Sequence, residues 1–552
     1  MKAALFLAIA LGSWSLATAQ APTPDSLRAK LDVLFQSYNR HDGPGCAVAI
    51  ISKGKVIFTG GYGMANLEYD IPITPSSIFD IASVSKQFTG WAISTLIQEG
   101  KISPDDDIRR YLPDVPSFGK PITIRHLLNH ISGIRDWPMT LNLAGWRWDE
   151  VFSFQDIMRM VKYQKELDFP PGERFSYSNT GYNLLAAIVE KVSGQSFREW
   201  TDEHLFRPLE MPSSHFLDDH RKIVRGLAYS YSQAGEGFIK EPDALTAMGS
   251  SSLFTSVDDL CKWVIHFQQG MKTKDPVVTR MLEDGVLNDG SRTRYGYGLG
   301  LDADRGVPTV SHTGGWAGYR TIITNYPDDE LSIILLSNTS DFDVHAWASR
   351  IADLFLSKKF MSAAPKPESI ATLPTTTVGA SLLQKYSGTY QLGPGWAVTL
   401  TVENCRLMTQ ANGEDKFPME AKSDSVFWIS AYGASMTFMK DPEGKVNLLH
   451  YKTIYAKRIT PWRPATGNLT QYAGTYYSNE LATEYIVDTA GNRLMLHHRR
   501  LGDFVLEPDP TREDQFGSSP GSFFFVRDVQ QKITGFRVSG GRVKNLWFDK
   551  TH

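Results

Sequence analysis

Cysteine is scarce. Cys46, Cys261 and Cys405 are the three in 552 residues, too few and too far apart for a disulfide framework. They read instead as buried free thiols, because an unpaired cysteine behaves as a small hydrophobe. An excess of either charge is also missing: 57 Lys and Arg stand against 60 Asp and Glu. That leaves no electrostatic footprint for nucleic acid and no polybasic membrane patch. The run His497-His498-Arg499-Arg500 is local and reads as a solvated strand edge. After the N-terminal segment no stretch is apolar for long enough to span a bilayer. No glycine loop stands where a phosphate would need one. His126 and His130 could share a helix face, but no glutamate follows the first and no third ligand stands out. They read as structural histidines, and no metal or cofactor is expected.

What is present begins with MKAALFLAIALGSWSLATA, residues 1–19, which has Lys2, an apolar run, and small residues at Ala17 and Ala19. This is the pattern of a secretory signal peptide cut before Gln20. No cysteine follows the cut to carry a lipid, so the mature chain is expected to be secreted or periplasmic, by a bacterial export route. With 42% hydrophobic and 21% charged residues the composition is globular, and the length calls for more than one core.

Along the chain, CAVAIISKGKVIF (46–58) reads as two strands around a Lys-Gly turn. A mainly helical stretch runs from 83 to about 265. Strand character returns in YGYGLGLD (295–302) and over 309–338, with Pro327-Asp328-Asp329 as a hairpin turn. An amphipathic helix follows at about 344–357. Both ends of the region thus feed one antiparallel sheet, with helices inserted between them, an α/β (α+β) domain over 20–360. Residues 361–380 form a Pro/Ser/Thr/Ala linker. Beyond it lies a repeat: Tyr386-Ser387-Gly388-Thr389-Tyr390 aligns with Tyr472-Ala473-Gly474-Thr475-Tyr476. Two all-β, lipocalin-like barrel modules are expected, over 381–460 and 461–552.

Ser-x-x-Lys occurs three times. Ser52–Lys55 lies in the first hairpin and Ser117–Lys120 in a loop before Pro121. Only Ser83–Lys86 opens an apolar helix. There the lysine shares a face with the serine, and the helix N-terminus favours developing negative charge. A desolvated lysine could take the serine's proton and so make it a nucleophile. Tyr177-Ser178-Asn179 precedes a second apolar helix and offers a phenol and an amide; its copy at Tyr477–Asn479 lies in the β repeat and reads as a decoy. His312-Thr313-Gly314-Gly315 sits on a strand whose glycines leave a bare edge for an acyl group. Gly-x-Ser-x-Gly around Ser519 falls in a turn of the last module, outside any strand–elbow–helix context. Trp137, Trp316 and Tyr319 are candidates to line a substrate cleft.

Ser-x-x-Lys, Tyr-x-Asn and a basic residue before Thr-Gly, in that order, resemble the serine β-lactamases and penicillin-binding proteins, in the branch of class C β-lactamases, esterases and D-aminopeptidases. The likeness runs from about Gly43 to Asn338. It implies a β-lactamase-like catalytic domain in which Ser83 is acylated, Lys86 and Tyr177 form the base and acid pair, and Asn179 positions. It also implies an oxyanion hole from the N–H groups of Ser83 and Gly315. His312 departs from the lysine of the β-lactamases; with an ordinary pKa near 6.5 it offers a hydrogen bond in place of a permanent cation. D-aminopeptidases and esterases of the family carry such a histidine, and the D-aminopeptidases append two β modules. The expectation is therefore an exported serine hydrolase, esterase or D-aminopeptidase-like, acting on a small-molecule or peptide ester, amide or D-amino-acyl compound. A DD-carboxypeptidase or β-lactamase is the alternative within the class. A ligand sensor that has lost turnover is the alternative outside it.

Overall fold

The computed structural model describes residues 24–552 except 362–369, 394, 413, 442–444 and 466–467. The segment read as a signal peptide lies outside the described residues, as does part of the linker. Among the described residues no helix is long and apolar enough to cross a membrane.

The first body is built on a six-stranded sheet whose order is Gly300–Asp304, Val307–Trp316, Tyr319–Tyr326, Leu331–Ser337, Cys46–Ser52, Lys55–Tyr62. Every neighbouring pair is antiparallel. N- and C-terminal segments thus share one sheet, as the pattern predicts. Cys46–Ser52 and Leu331–Ser337 are interior strands and nearly all buried, so their runs of Ile, Leu and Val serve both faces. One face packs against the helices Pro24–Leu34 and Val344–Leu356, around Phe35 and Trp347. The other supports the helical insert, whose core joins Phe88, Leu185 and Trp263. Short strands, among them Phe79–Asp80 and Leu253–Thr255, interrupt the insert.

Two expectations are corrected here. YGYGLGLD becomes strand only at Gly300, because Gly296 and Gly298 pass too close to the helical layer. A Cβ on Gly298 would lie 2.4 Å from the Lys86 carbonyl carbon, and one on Gly296 would lie 2.2 Å from Met281 O. Cys405 is exposed, whereas Cys46 and Cys261 are buried. Asn404 and Cys405, with φ of 47° and 58°, form the two-residue turn between Trp396–Glu403 and Arg406–Ala411, the left-handed geometry such hairpins require.

Both C-terminal modules are all-β. The first is a nine-stranded sheet whose edge strands, Phe417–Pro418 and Glu420–Ala421, are neighbours in the chain, so it is nearly closed. The second is a closed eight-stranded barrel spanning 474–550. The repeat has a structural basis. The Tyr390 hydroxyl donates to Tyr386 O at 3.0 Å, and the Tyr476 hydroxyl donates to Tyr472 O at 2.7 Å. Each pair closes a turn onto the strand that follows it.

The second barrel docks on the first body beside its helical insert. Leu143, the last residue of the helix Trp137–Leu143, is buried in the barrel's own core among Tyr485, Phe523 and Phe548. The Tyr485 hydroxyl caps it by donating to Leu143 O at 3.0 Å. Arg135, almost fully buried, lies between Asp168 at 3.2 Å and Glu480 of the barrel at 3.0 Å. Within the His497–Arg500 run only His498 departs from the expectation, being buried against Gly145, while Arg499 and Arg500 are exposed and Arg500 pairs with Glu150. Leu143→Ala is expected to cost about 2–5 kcal/mol, the usual range for a buried leucine truncation, measured by urea denaturation of the full chain.

Candidate active site

The segment around Ser83 is fixed before its helix begins. Ala82 has φ of 48°, unusual for a residue with a side chain, and its N–H donates to Asp80 Oδ1 at 2.7 Å. Residues Ala82–Ser85 form a 3-10 turn that runs straight into the helix Lys86–Gln98. Ser83 is partly exposed while Val84, Ser85 and Lys86 are buried. The strand Val307–Trp316 presses against this turn. Thr321 Oγ1, on the adjoining strand, donates to Ile81 O at 2.8 Å, and a Cβ on Gly314 would lie 2.2 Å from the same oxygen. Gly314 is therefore required by close approach, while Gly315 is exposed beside it.

Lys86 is fully buried, yet its amine has three polar neighbours: Ser83 Oγ at 3.2 Å, Asn179 Oδ1 at 2.7 Å and Ser250 O at 2.8 Å. Two of these only accept hydrogen bonds. A neutral amine has two N–H groups for them, and its lone pair is then left for the Ser83 hydroxyl. Burial, the largest influence, pushes the Lys86 pKa well down; Asp136 opposes that shift and Arg542 reinforces it.

Asn179 is oriented from behind. Its side-chain Nδ2 donates to Asp136 Oδ1 at 3.0 Å and its backbone N–H donates to the same atom at 2.8 Å, which turns Oδ1 toward Lys86. Asp136 Oδ2 accepts from Arg542 Nη1 at 2.7 Å, and Arg542 belongs to the second barrel.

Tyr177 is held from both sides by His130. The Ser176 N–H donates to His130 O at 2.9 Å, and the Ser178 N–H donates to His130 Nδ1 at 3.0 Å. The rings of His130 and Tyr177 lie 4.2 Å apart. Burial pushes the Tyr177 phenol up, with the neighbouring Ser83 hydroxyl pulling it back. It stays protonated through the neutral range. His130 is driven well below its usual pKa, chiefly by burial, and is neutral.

His312 lies beside these groups but is turned inward. Its Nδ1 is 2.6 Å from Thr313 O, an acceptor only, so Nδ1 carries the proton; Nε2 then accepts from the Tyr295 hydroxyl at 2.8 Å. Burial and Lys86 push the imidazole pKa down to about 3. The ring is neutral and both its nitrogens are occupied.

The three separated motifs thus meet in one place. Trp316 lines a cleft of about 900 Å³ that begins at Gly315 and includes Trp148, Arg320 and, from the barrel, Leu501. Tyr319 and Trp137 are corrected to core positions: both are buried, and the Trp137 and Trp316 rings lie 6.0 Å apart. Ser519 sits in the turn between Gln515–Ser518 and Gly521–Arg527 of the barrel. Asp136, His130, Tyr295, the Ser250 carbonyl and Arg542 were not singled out by sequence for this site.

Comparison with known proteins decides the family, since the beta-lactamase family profile matches residues 31–355. The chain belongs to the beta-lactamase family. It is a serine hydrolase. A penicillin-binding protein of Bacillus subtilis is 28% identical over 442 residues, covering 77% of this chain and 96% of that one. A D-aminopeptidase of Brucella anthropi is 28% identical over 523 residues, covering 92% of this chain and 96% of its own length. Among solved structures, the octameric penicillin-binding protein homologue from Pyrococcus abyssi superposes with a TM-score of 0.54 at 22% identity. It covers 87% of this chain and 99% of that one, and shares the fold.

Gly314→Ala is expected to cost about 1–3 kcal/mol, the penalty of forcing a methyl into filled space. Chemical denaturation measures it, and labelling of Ser83 by a fluorophosphonate should slow in the same variant.

Proposed function

We propose that the protein is an exported serine hydrolase that cleaves ester or amide bonds through an acyl-Ser83 intermediate, and that it is esterase or D-aminopeptidase-like. The observation that carries the reading is the buried Lys86 amine, whose two N–H groups have dedicated acceptors and whose third direction faces Ser83 Oγ. The substrate carbonyl lies against the Gly315 edge. Lys86 takes the Ser83 proton as Oγ attacks, and the N–H groups of Ser83 and Gly315 receive the negative charge on the carbonyl oxygen. Tyr177 gives its proton to the departing oxygen or nitrogen and recovers one from Lys86, so the pair returns to its starting state. Water then attacks the acyl-serine, and its proton passes through the same pair back to Ser83.

Similarity to the D-aminopeptidase extends over nearly the whole chain, both β modules included. A neutral His312 also supports this side of the family. It supplies no cation to grip the carboxylate of a β-lactam, which sets the β-lactamase reading behind.

Ser83→Ala should lower turnover of an activated ester by at least about a thousandfold, as loss of a nucleophile does, with the far-ultraviolet circular dichroism unchanged. Retained turnover overturns the assignment, and a folded wild-type chain without turnover on esters and D-amino-acyl amides would indicate a binding protein. The pH profile has a definite sign. Lys86 works as the neutral amine, so kcat/KM should rise with pH and fall as the medium is acidified through the lowered lysine pKa. His312, at about 3, does not contribute that limb. A kcat/KM that rises as the medium is acidified would speak against Lys86 as base.

A further inference from the structure

Two carboxyl groups lie beneath the candidate site, outside the proton path of the reaction. Asp80 closes the short strand Phe79–Asp80, which pairs with Leu253–Thr255. It is fully buried, and its Oδ1 accepts the Ala82 N–H at 2.7 Å, the bond that fixes the turn into Ser83. Asp80 Oδ2 has no hydrogen-bond partner. Asp243 lies in the segment between the strands Gly237–Lys240 and Leu245–Thr246. Both of its carboxyl oxygens are buried, and neither has a partner. The Trp316 indole N–H lies beside this carboxyl, outside hydrogen-bond geometry, and its pull is weaker than the push of burial. Trp316 follows Gly315 in the chain. Asp80 thus holds the Ser83 wall of the site, and Asp243 stands against the Gly315 wall.

Three buried carboxyl oxygens without a donor cannot all stay as bare acceptors, because each would carry its full desolvation cost. No cation relieves them: among the described residues neither carboxyl makes an ion pair, and Asp243 is the one charged side chain that bears on Asp80. The two arginines of the cleft are engaged elsewhere. Arg147 pairs with Asp149, while Arg320 turns Nη1 to the carbonyls of Ala317 and Tyr319 and bears on Asp341 and Glu241. The remaining titratable neighbour is Tyr319, whose hydroxyl donates to Ala228 O at 2.7 Å, with Tyr229 and Tyr231 beyond it. Burial, then Asp243, pushes the Asp80 carboxyl well up against the N–H groups of Ala82 and Ser252. Burial pushes Asp243 up to about 7.

We propose that Asp80 and Asp243 form one buried carboxyl pair that shares a proton through the neutral range, and that this proton ties the Ser83 wall of the site to the Gly315 wall. Both are positioning residues. The proposal rests on the hydrolase reading in one respect, that the two walls donate their N–H groups to one carbonyl oxygen. With the proton in place, the O–H of one carboxyl donates to the carboxylate of the other, and Asp80 Oδ1 stays on Ala82. When that proton leaves, two like charges face each other where the dielectric is low. The pair parts, and the strain at Ala82, with its φ of 48°, loses its support. The linkage has one sign. These carboxyls hold a proton in the folded chain that the unfolded chain has already released above about pH 4. Stability therefore falls as the pH rises from there through the folded value.

Infrared difference spectroscopy of the full chain reads the proton directly. At neutral pH wild type should show the carbonyl band of a protonated carboxyl that Asp243→Asn removes, and absence of that difference overturns the pair. Turnover of an activated ester reads the coupling. In wild type kcat/KM should fall on the alkaline side by about tenfold per pH unit, the slope of one titrating proton. Asp243→Ala should lower kcat at neutral pH on the order of tenfold, the scale of a lost hydrogen bond to a charged group. Asp243→Asn, whose amide supplies permanently the hydrogen that the proton lends, should restore most of that loss and show no alkaline limb. An alkaline limb unchanged in Asp243→Asn would overturn the link between the pair and the site. A third arm needs no turnover: in urea denaturation wild type should lose stability relative to Asp243→Asn as the pH rises, and parallel curves overturn the proposal. If wild type cleaves no ester at all, the hydrolase reading fails, and the infrared and urea arms still decide whether the shared proton exists.

Discussion

A lysine amine with no access to water is the constraint on which the rest of the molecule turns. Burying a charge uncompensated is prohibitively costly, so the fold either surrounds Lys86 with acceptors or strips it of its proton. This chain does both. Ser250 O and Asn179 Oδ1 take its hydrogens, and burial favours the neutral form. Each partner needs its own support. Asn179 is steered by Asp136, Asp136 is shared with Arg542, and Arg542 is held on a barrel turn. A single desolvated nitrogen thereby organises groups from the start, middle and end of the chain.

The parts of this arrangement that were legible in the sequence are those where a side chain's type and its local period agree. Ser83 and Lys86 stood out from two other Ser-x-x-Lys matches because only they precede an apolar helical stripe. Tyr177–Asn179 and His312–Gly315 were legible for the same reason, one ahead of a helix and the other on a strand. The sheet was legible from alternation and turns, and the β modules from a repeated Tyr-x-Gly-Thr-Tyr.

What escaped the sequence has physical reasons of equal clarity. Asp136 precedes Trp137-Pro138 and looks like an ordinary helix cap; in the structure its side chain leaves its own helix uncapped and serves Asn179. Ser250 contributes a carbonyl, which no residue type announces. Tyr295 lies in a Gly-rich segment with the alternation of a strand, yet glycines 296 and 298 turn it into a loop beneath the site. Arg542 meets Asp136 across 406 residues of sequence, a contact that depends entirely on how one body docks on another.

The helix Trp137–Leu143 has a consequence of its own. It is seven residues long, hence about 10 Å of stiff rod. One end is planted beside the reacting centre through Asp136 and the other in the barrel's hydrocarbon interior through Leu143. Resizing a phenylalanine inside that barrel would be felt as a tilt of the carboxylate that steers Asn179. A change in a module that holds no nucleophile thus reaches the chemistry next door through one short helix.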